Sequence, residues 1–91
     1  MSMMLTSEEI LDKVQRAFAP FHVVAELQDY HRKLGFRVYD LDNEVIDTFE
    51  GSLIQDLKTP ANLKQLILAA RTAVERKNKI LKPWSFESGD G

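Results

Sequence analysis

The sequence predicts an α+β domain in the order α-β-β-β-α, and three observations carry that prediction. A capped amphipathic stretch opens the chain, apolar residues alternate with a period of two through its middle, and a long apolar stripe at helical spacing closes it. With 91 residues, 44 % hydrophobic and 29 % charged, there is room for one core and enough apolar material to fill it. One domain is expected over residues 1–82, followed by a tail over 83–91 whose end is disordered.

The first helix is expected over 7–18. Thr6 and Glu9 have capping-box spacing, and Leu5 and Ile10 stand at the two positions of a hydrophobic staple. Ile10, Leu11, Val14, Ala17 and Phe18 then form one face, with Asp12, Lys13, Gln15 and Arg16 opposite. Pro20 stops the helix, because it has no N–H to donate and disfavours helix at Ala19.

Three strands follow. Val23, Ala25 and Leu27 alternate with Val24, Glu26 and Gln28, and after the polar connection 29–32, Leu34, Phe36 and Val38 alternate with Gly35, Arg37 and Tyr39. Asp40 to Glu44 has turn chemistry, and Val45 to Phe49 forms the third strand, closed by Gly51. Connections this short favour an antiparallel meander. Residues 52–58 fit a turn of helix or an edge strand, and the spacing of Leu53 and Leu57 favours the helix.

Thr59 as cap and Pro60 at the first helical position start the last helix, which joins the first on one sheet face. Its stripe is Leu63, Leu66, Ile67, Ala70, Ala73 and Val74. Ile80 and Leu81 extend it by a turn before Lys82-Pro83.

Composition excludes several function classes. No run approaches the roughly 18 apolar residues of a membrane span, and the first residues lack the basic and apolar regions of a secretory signal. The absence of cysteine removes disulfides, thiolate chemistry and cysteine zinc sites, which fits a cytoplasmic chain. Residues 1–59 hold six Lys/Arg against eleven Asp/Glu, a net of −5; residues 60–91 hold six against three, a net of +3. An acidic total argues against general duplex binding and leaves open a local basic stripe.

Candidate chemistry is sparse. Asp40, Asp42, Glu44, Asp47 and Glu50 alternate as cation ligands can, but counting from Asp40 puts Val45 at the glycine position of a calcium loop and Gly51 at its bidentate glutamate. They read as a hairpin turn with its acids in water. His22 and His31 have no metal, nucleophile or phosphate-loop motif around them and read as surface groups, so no catalytic residue, metal or cofactor is expected. Arg71, Arg76, Lys77, Lys79 and Lys82 beside Trp84 could follow a single-stranded polyanion; a solvated helix end with the indole on the core accounts for them as well.

Packing supplies the sharper expectation. Strict alternation places Leu34, Phe36 and Val38 toward the helices and leaves Tyr39, Val45 and Phe49 on a second apolar face. That face needs a cover: the tail at 84–86, segment 52–58, or another subunit. For so short a chain an isologous homodimer is the favoured solution, followed by the tail folding back and then by a protein partner.

The closing of the first helix by Phe-Ala-Pro-Phe (18–21), the strand Leu-Gly-Phe-Arg-Val-Tyr-Asp (34–40) and the stripe Leu63–Val74 resemble small stand-alone bacterial proteins of unknown function with a helix–meander–helix layout. The resemblance spans residues 5–81 and implies this fold and no site residues. The expected function is a non-enzymatic interaction or regulatory module acting as a homodimer, with a nucleic-acid-binding accessory protein as the alternative.

Overall fold

The computed structural model describes residues 4–84. Helix α1 (Ser7–Arg16) leads into strands β1 (His22–Gln28), β2 (Lys33–Tyr39) and β3 (Val45–Leu53), followed by the single helical turn α2 (Ile54–Leu57) and helix α3 (Pro60–Glu75). The strands form an antiparallel sheet in the order β1-β2-β3, as the meander predicts.

The first turn of α1 is built as its sequence dictates. Glu9 donates its N–H to the Thr6 hydroxyl at 3.1 Å, and the Thr6 N–H donates to the Glu9 carboxylate at 2.9 Å. The helix stops at Arg16, two residues before the expected end, and Ala17–Pro20 turn the chain while Ala17 and Phe18 stay fully buried. Thr59 stands at the N-cap of α3 with Pro60 behind it, but its hydroxyl makes no capping bond; its carbonyl accepts from Asn62 and Leu63 instead.

Helix α3 also ends early. Asn78 takes a left-handed conformation (φ 65°), which asparagine tolerates and which turns the chain off the helix axis. Ile80 is left in solvent and Leu81 swings back into the core, so neither extends the stripe. The segment through Trp84 then crosses the end of α1, where the Lys82 N–H donates to the Ala19 carbonyl at 2.9 Å. The expected disorder of the tail's end concerns residues 85–91, outside the described residues.

Both long helices lie on one face of the sheet. Ile10 and Val14 of α1 and Leu63, Ile67, Ala70 and Val74 of α3 share one core with Val23, Leu34, Phe36, Val38 and Ile46, and Ile54 and Leu57 of α2 close its edge. Among the described residues no polar side chain is buried in it. The molecule is only 17 Å through its shortest axis, the depth of one helix layer on one sheet. No helix among the described residues is long and apolar enough to cross a membrane.

Segment 52–58 divides between the two structures it fits: Ser52 and Leu53 finish β3, and Ile54–Leu57 make one turn of helix. Gly51 does not close β3. It sits inside the strand at φ 88°, where the register gains an extra residue between the Leu34–Ser52 and Phe36–Phe49 pairs.

Candidate functional site

Directly opposed residues of an antiparallel pair point to one side of the sheet, so the register fixes both faces. The side away from the helices carries the rows His22–Tyr39–Val45, Val24–Arg37–Thr48 and Gln28–Lys33–Leu53. Val24, Val45 and Leu53 are 46 %, 50 % and 46 % exposed, and the His22 ring stands 6.1 Å from that of half-buried Tyr39.

Of the three residues expected on this face, Tyr39 and Val45 lie on it side by side and Phe49 does not. Phe49 opposes Phe36 on the inner side, with their rings stacked at 4.9 Å, and packs against the core. The reason is a bulge near Ile46: β3 advances two residues, from Val45 to Asp47, while β2 moves one, from Tyr39 to Val38. One extra residue inverts the alternation downstream, so Val45 faces out and Phe49 faces in. Apolar Ile46 and Phe49, three apart, are the trace of this bulge in the sequence.

Gly35 sits at the centre of the outer face. A side chain there would meet the Gln28 amide at 2.8 Å, and Gln28 instead reaches across to donate to the Glu26 carboxylate at 3.2 Å. Around Gly35 lies a depression of about 120 Å³, walled by Val24, Arg37 and Thr48 and rimmed by Glu26 and Glu50. The Arg37 pKa is raised above its already high ordinary value, first by the hydrogen bond with Tyr39 and more weakly by the charges of Glu50 and Glu26. The face therefore combines branched apolar groups, one aromatic and both signs of charge within a few residues.

Among the described residues the two intrachain covers lie elsewhere. Leu81 is buried in the helix-side core and Trp84 packs against it, so the chain through Trp84 follows the helices. Segment 52–58 puts Ile54 and Leu57 into that same core and adds only Leu53 to the outer side. Phe86 lies outside the described residues.

The basic residues at the end of α3 are largely used within the fold. Arg71 donates to the carbonyls of Ala17 and, at 2.9 Å, Lys82, and stands 5.8 Å from the centre of the Trp84 ring. Lys77 donates to the Ile46 carbonyl at 2.8 Å and pairs with Asp47 at 3.6 Å, while Lys79 pairs with Asp40 at 3.7 Å. Arg76 and Lys82 remain exposed. The basic end of the chain is thus stitched to its acidic middle, and of the five cations only the side chains of Arg76 and Lys82 have no hydrogen-bond or ion-pair partner among the described residues.

The same contacts occupy the acidic hairpin. One Asp40 oxygen accepts from the N–H groups of Asp42 at 2.8 Å and Glu44 at 3.0 Å. The Glu44 amide, with that of Asp42 and the charge of Lys79 behind it, holds the Asp40 carboxyl below its ordinary value. No three His, Asp or Glu side chains among the described residues are gathered as metal ligands. His22 and His31 stand at opposite ends of the sheet, both exposed, and neither forms an ion pair among the described residues. His31 ends a run of three left-handed residues, Asp29, Tyr30 and His31 (φ 54°, 55° and 67°), at the tip of the β1–β2 hairpin. Such a backbone costs roughly 1–2 kcal/mol per residue, and it leaves Tyr30 92 % exposed.

Compared with known proteins, the chain matches no family model, no curated protein and no solved structure.

Proposed function

We propose that this protein is a non-enzymatic interaction module of the cytoplasm that works as a homodimer, with the outer sheet face as its contact surface. The observation that carries this reading is a face that no described residue covers: Val24 and Val45 stand half exposed beside Tyr39 on a sheet with one helix layer. Burying the exposed half of each such side chain stabilises a contact by about 1 kcal/mol. A second copy is the favoured cover because the face carries its own complement, Arg37 with Glu26 and Glu50 around one depression. A two-fold rotation can set each guanidinium against the other copy's carboxylates, and isologous contacts of this kind are the commonest in homo-oligomers. The cysteine-free composition supports a reducing compartment.

The test is solution mass by light scattering across a tenfold dilution, for the wild type and for Val45→Asp and Val24→Asp. The expected result is a wild-type dimer that becomes a folded monomer in both variants. A wild type that is monomeric throughout, or a dimer indifferent to both substitutions, overturns the proposal.

A further inference from the structure

At the end of the sheet away from Tyr39 and Val45, the tip of the β1–β2 hairpin meets α2 across a cleft of about 500 Å³ lined by His31, Arg32, Leu53, Ile54, Gln55 and Lys58. Arg32 and Lys58 bring two cations to this wall and no carboxylate lines it; the nearby Asp29 and Asp56 lie outside the lining. Neither cationic side chain has a hydrogen-bond or ion-pair partner among the described residues, in contrast to Arg71, Lys77 and Lys79.

Both cations sit on tied backbone. The Arg32 N–H donates to the carbonyls of Gln28 and Asp29, its carbonyl accepts from Ile54 at 2.8 Å, and the Lys58 carbonyl accepts from Leu5 at 2.8 Å. Their Cα positions are therefore set by the fold before any ligand arrives, which lowers the ordering cost of binding. A guanidinium offers a planar fork of donors to an oxyanion and an ammonium adds a point charge. Leu53, nearly half exposed, supplies an apolar wall, and the cleft is far larger than an inorganic anion requires.

We propose that this cleft binds a small organic phosphate, with its phosphoryl oxygens on Arg32 and Lys58 and its apolar portion on Leu53. The site lies at the far end of the sheet from the Tyr39–Val45 row and shares only Leu53 with the outer face.

The experiment is a titration of the full chain with phenyl phosphate, inorganic phosphate and phenol, followed through backbone amide resonances. Saturable shifts confined to residues 31–32 and 53–58 are expected with phenyl phosphate, with at least tenfold weaker binding of inorganic phosphate and of phenol. The double variant Arg32→Gln/Lys58→Gln, its spectrum otherwise intact, should lose at least tenfold in affinity, whereas Arg76→Gln/Lys82→Gln should lose none. Shifts that follow Arg76 and Lys82, phenol binding as well as its phosphate, inorganic phosphate binding as well as the ester, or a double variant that binds normally would each overturn the proposal. If Arg32→Gln/Lys58→Gln fails to fold, Lys58→Gln alone should weaken phenyl phosphate at least threefold, and an unchanged affinity there overturns it equally.

Discussion

The inner and outer faces of the sheet are cut from the same three strands and held by different forces. On the inner face Val23, Leu34, Phe36, Val38 and Ile46 are all at most 7 % exposed and locked among the helices. On the outer face Val24 and Val45, no less apolar, remain half in water beside Arg37, Glu26 and Glu50. Alternation announces that a sheet has two faces; which one becomes the core is decided by where the helices land. A residue's worth to stability therefore follows its face rather than its hydrophobicity.

The largest test of that difference is Phe36→Ala. Phe36 is 3 % exposed between Phe18 at 5.8 Å and Phe49 at 4.9 Å, so its truncation should cost about 3–5 kcal/mol in urea unfolding. Phe49→Ala should cost about half as much, because the ring is half-buried; a change under about 0.5 kcal/mol would return Phe49 to the outer face.

Arg71→Gln probes how the C-terminal segment is held to the helix side. Losing two charged donors to the carbonyls of Ala17 and Lys82 should destabilise by about 1–3 kcal/mol and shift Trp84 emission toward that of an exposed indole.

Asp40 adds a pH dependence with a definite sign. Its carboxyl is held below its ordinary 3.8, so its contribution is complete above that value and is lost as pH falls through the lower folded one. The urea midpoint of Asp40→Asn should lie below wild type at pH 7, and the gap should narrow as the pH is taken below 3.8.

The smallest effect on monomer stability is expected for Val45→Asp, within about 0.5 kcal/mol, in the same variant that should abolish the dimer. A large loss of monomer stability there would mean that the outer face is part of the core.

The fold was legible wherever signals act over a few residues. The Thr6–Glu9 box, the turn at Asp40–Glu44 and Pro60 at the head of α3 each work through neighbours in the chain and lie where the sequence puts them, whereas α1 ends at Arg16, two residues short of the end expected from Pro20. The end of α3 was not legible: apolar Ile80 and Leu81 suggest one more turn, whereas the helix stops at Glu75 and the chain turns left-handed at Asn78. The candidate site was legible in part. Tyr39 and Val45 follow from alternation, and Phe49 was lost because a bulge is one residue of slack that period-two counting does not register.

The use of the charges was not legible. Arg71 reaches the Ala17 carbonyl across 54 positions and Lys77 the Ile46 carbonyl across 31, whereas Arg32 and Lys58 meet no acid in the described fold. By itself the sequence determined the α-β-β-β-α order, the antiparallel meander and the Thr6–Glu9 capping box, because propensity, period and turn chemistry are local properties of the chain. Tertiary structure alone decided which sheet face stays open, which way Phe49 turns and which cations are spent. Those outcomes depend on groups brought within a few ångströms of one another from distant parts of the chain, and hydrogen bonds and ion pairs act only over such distances.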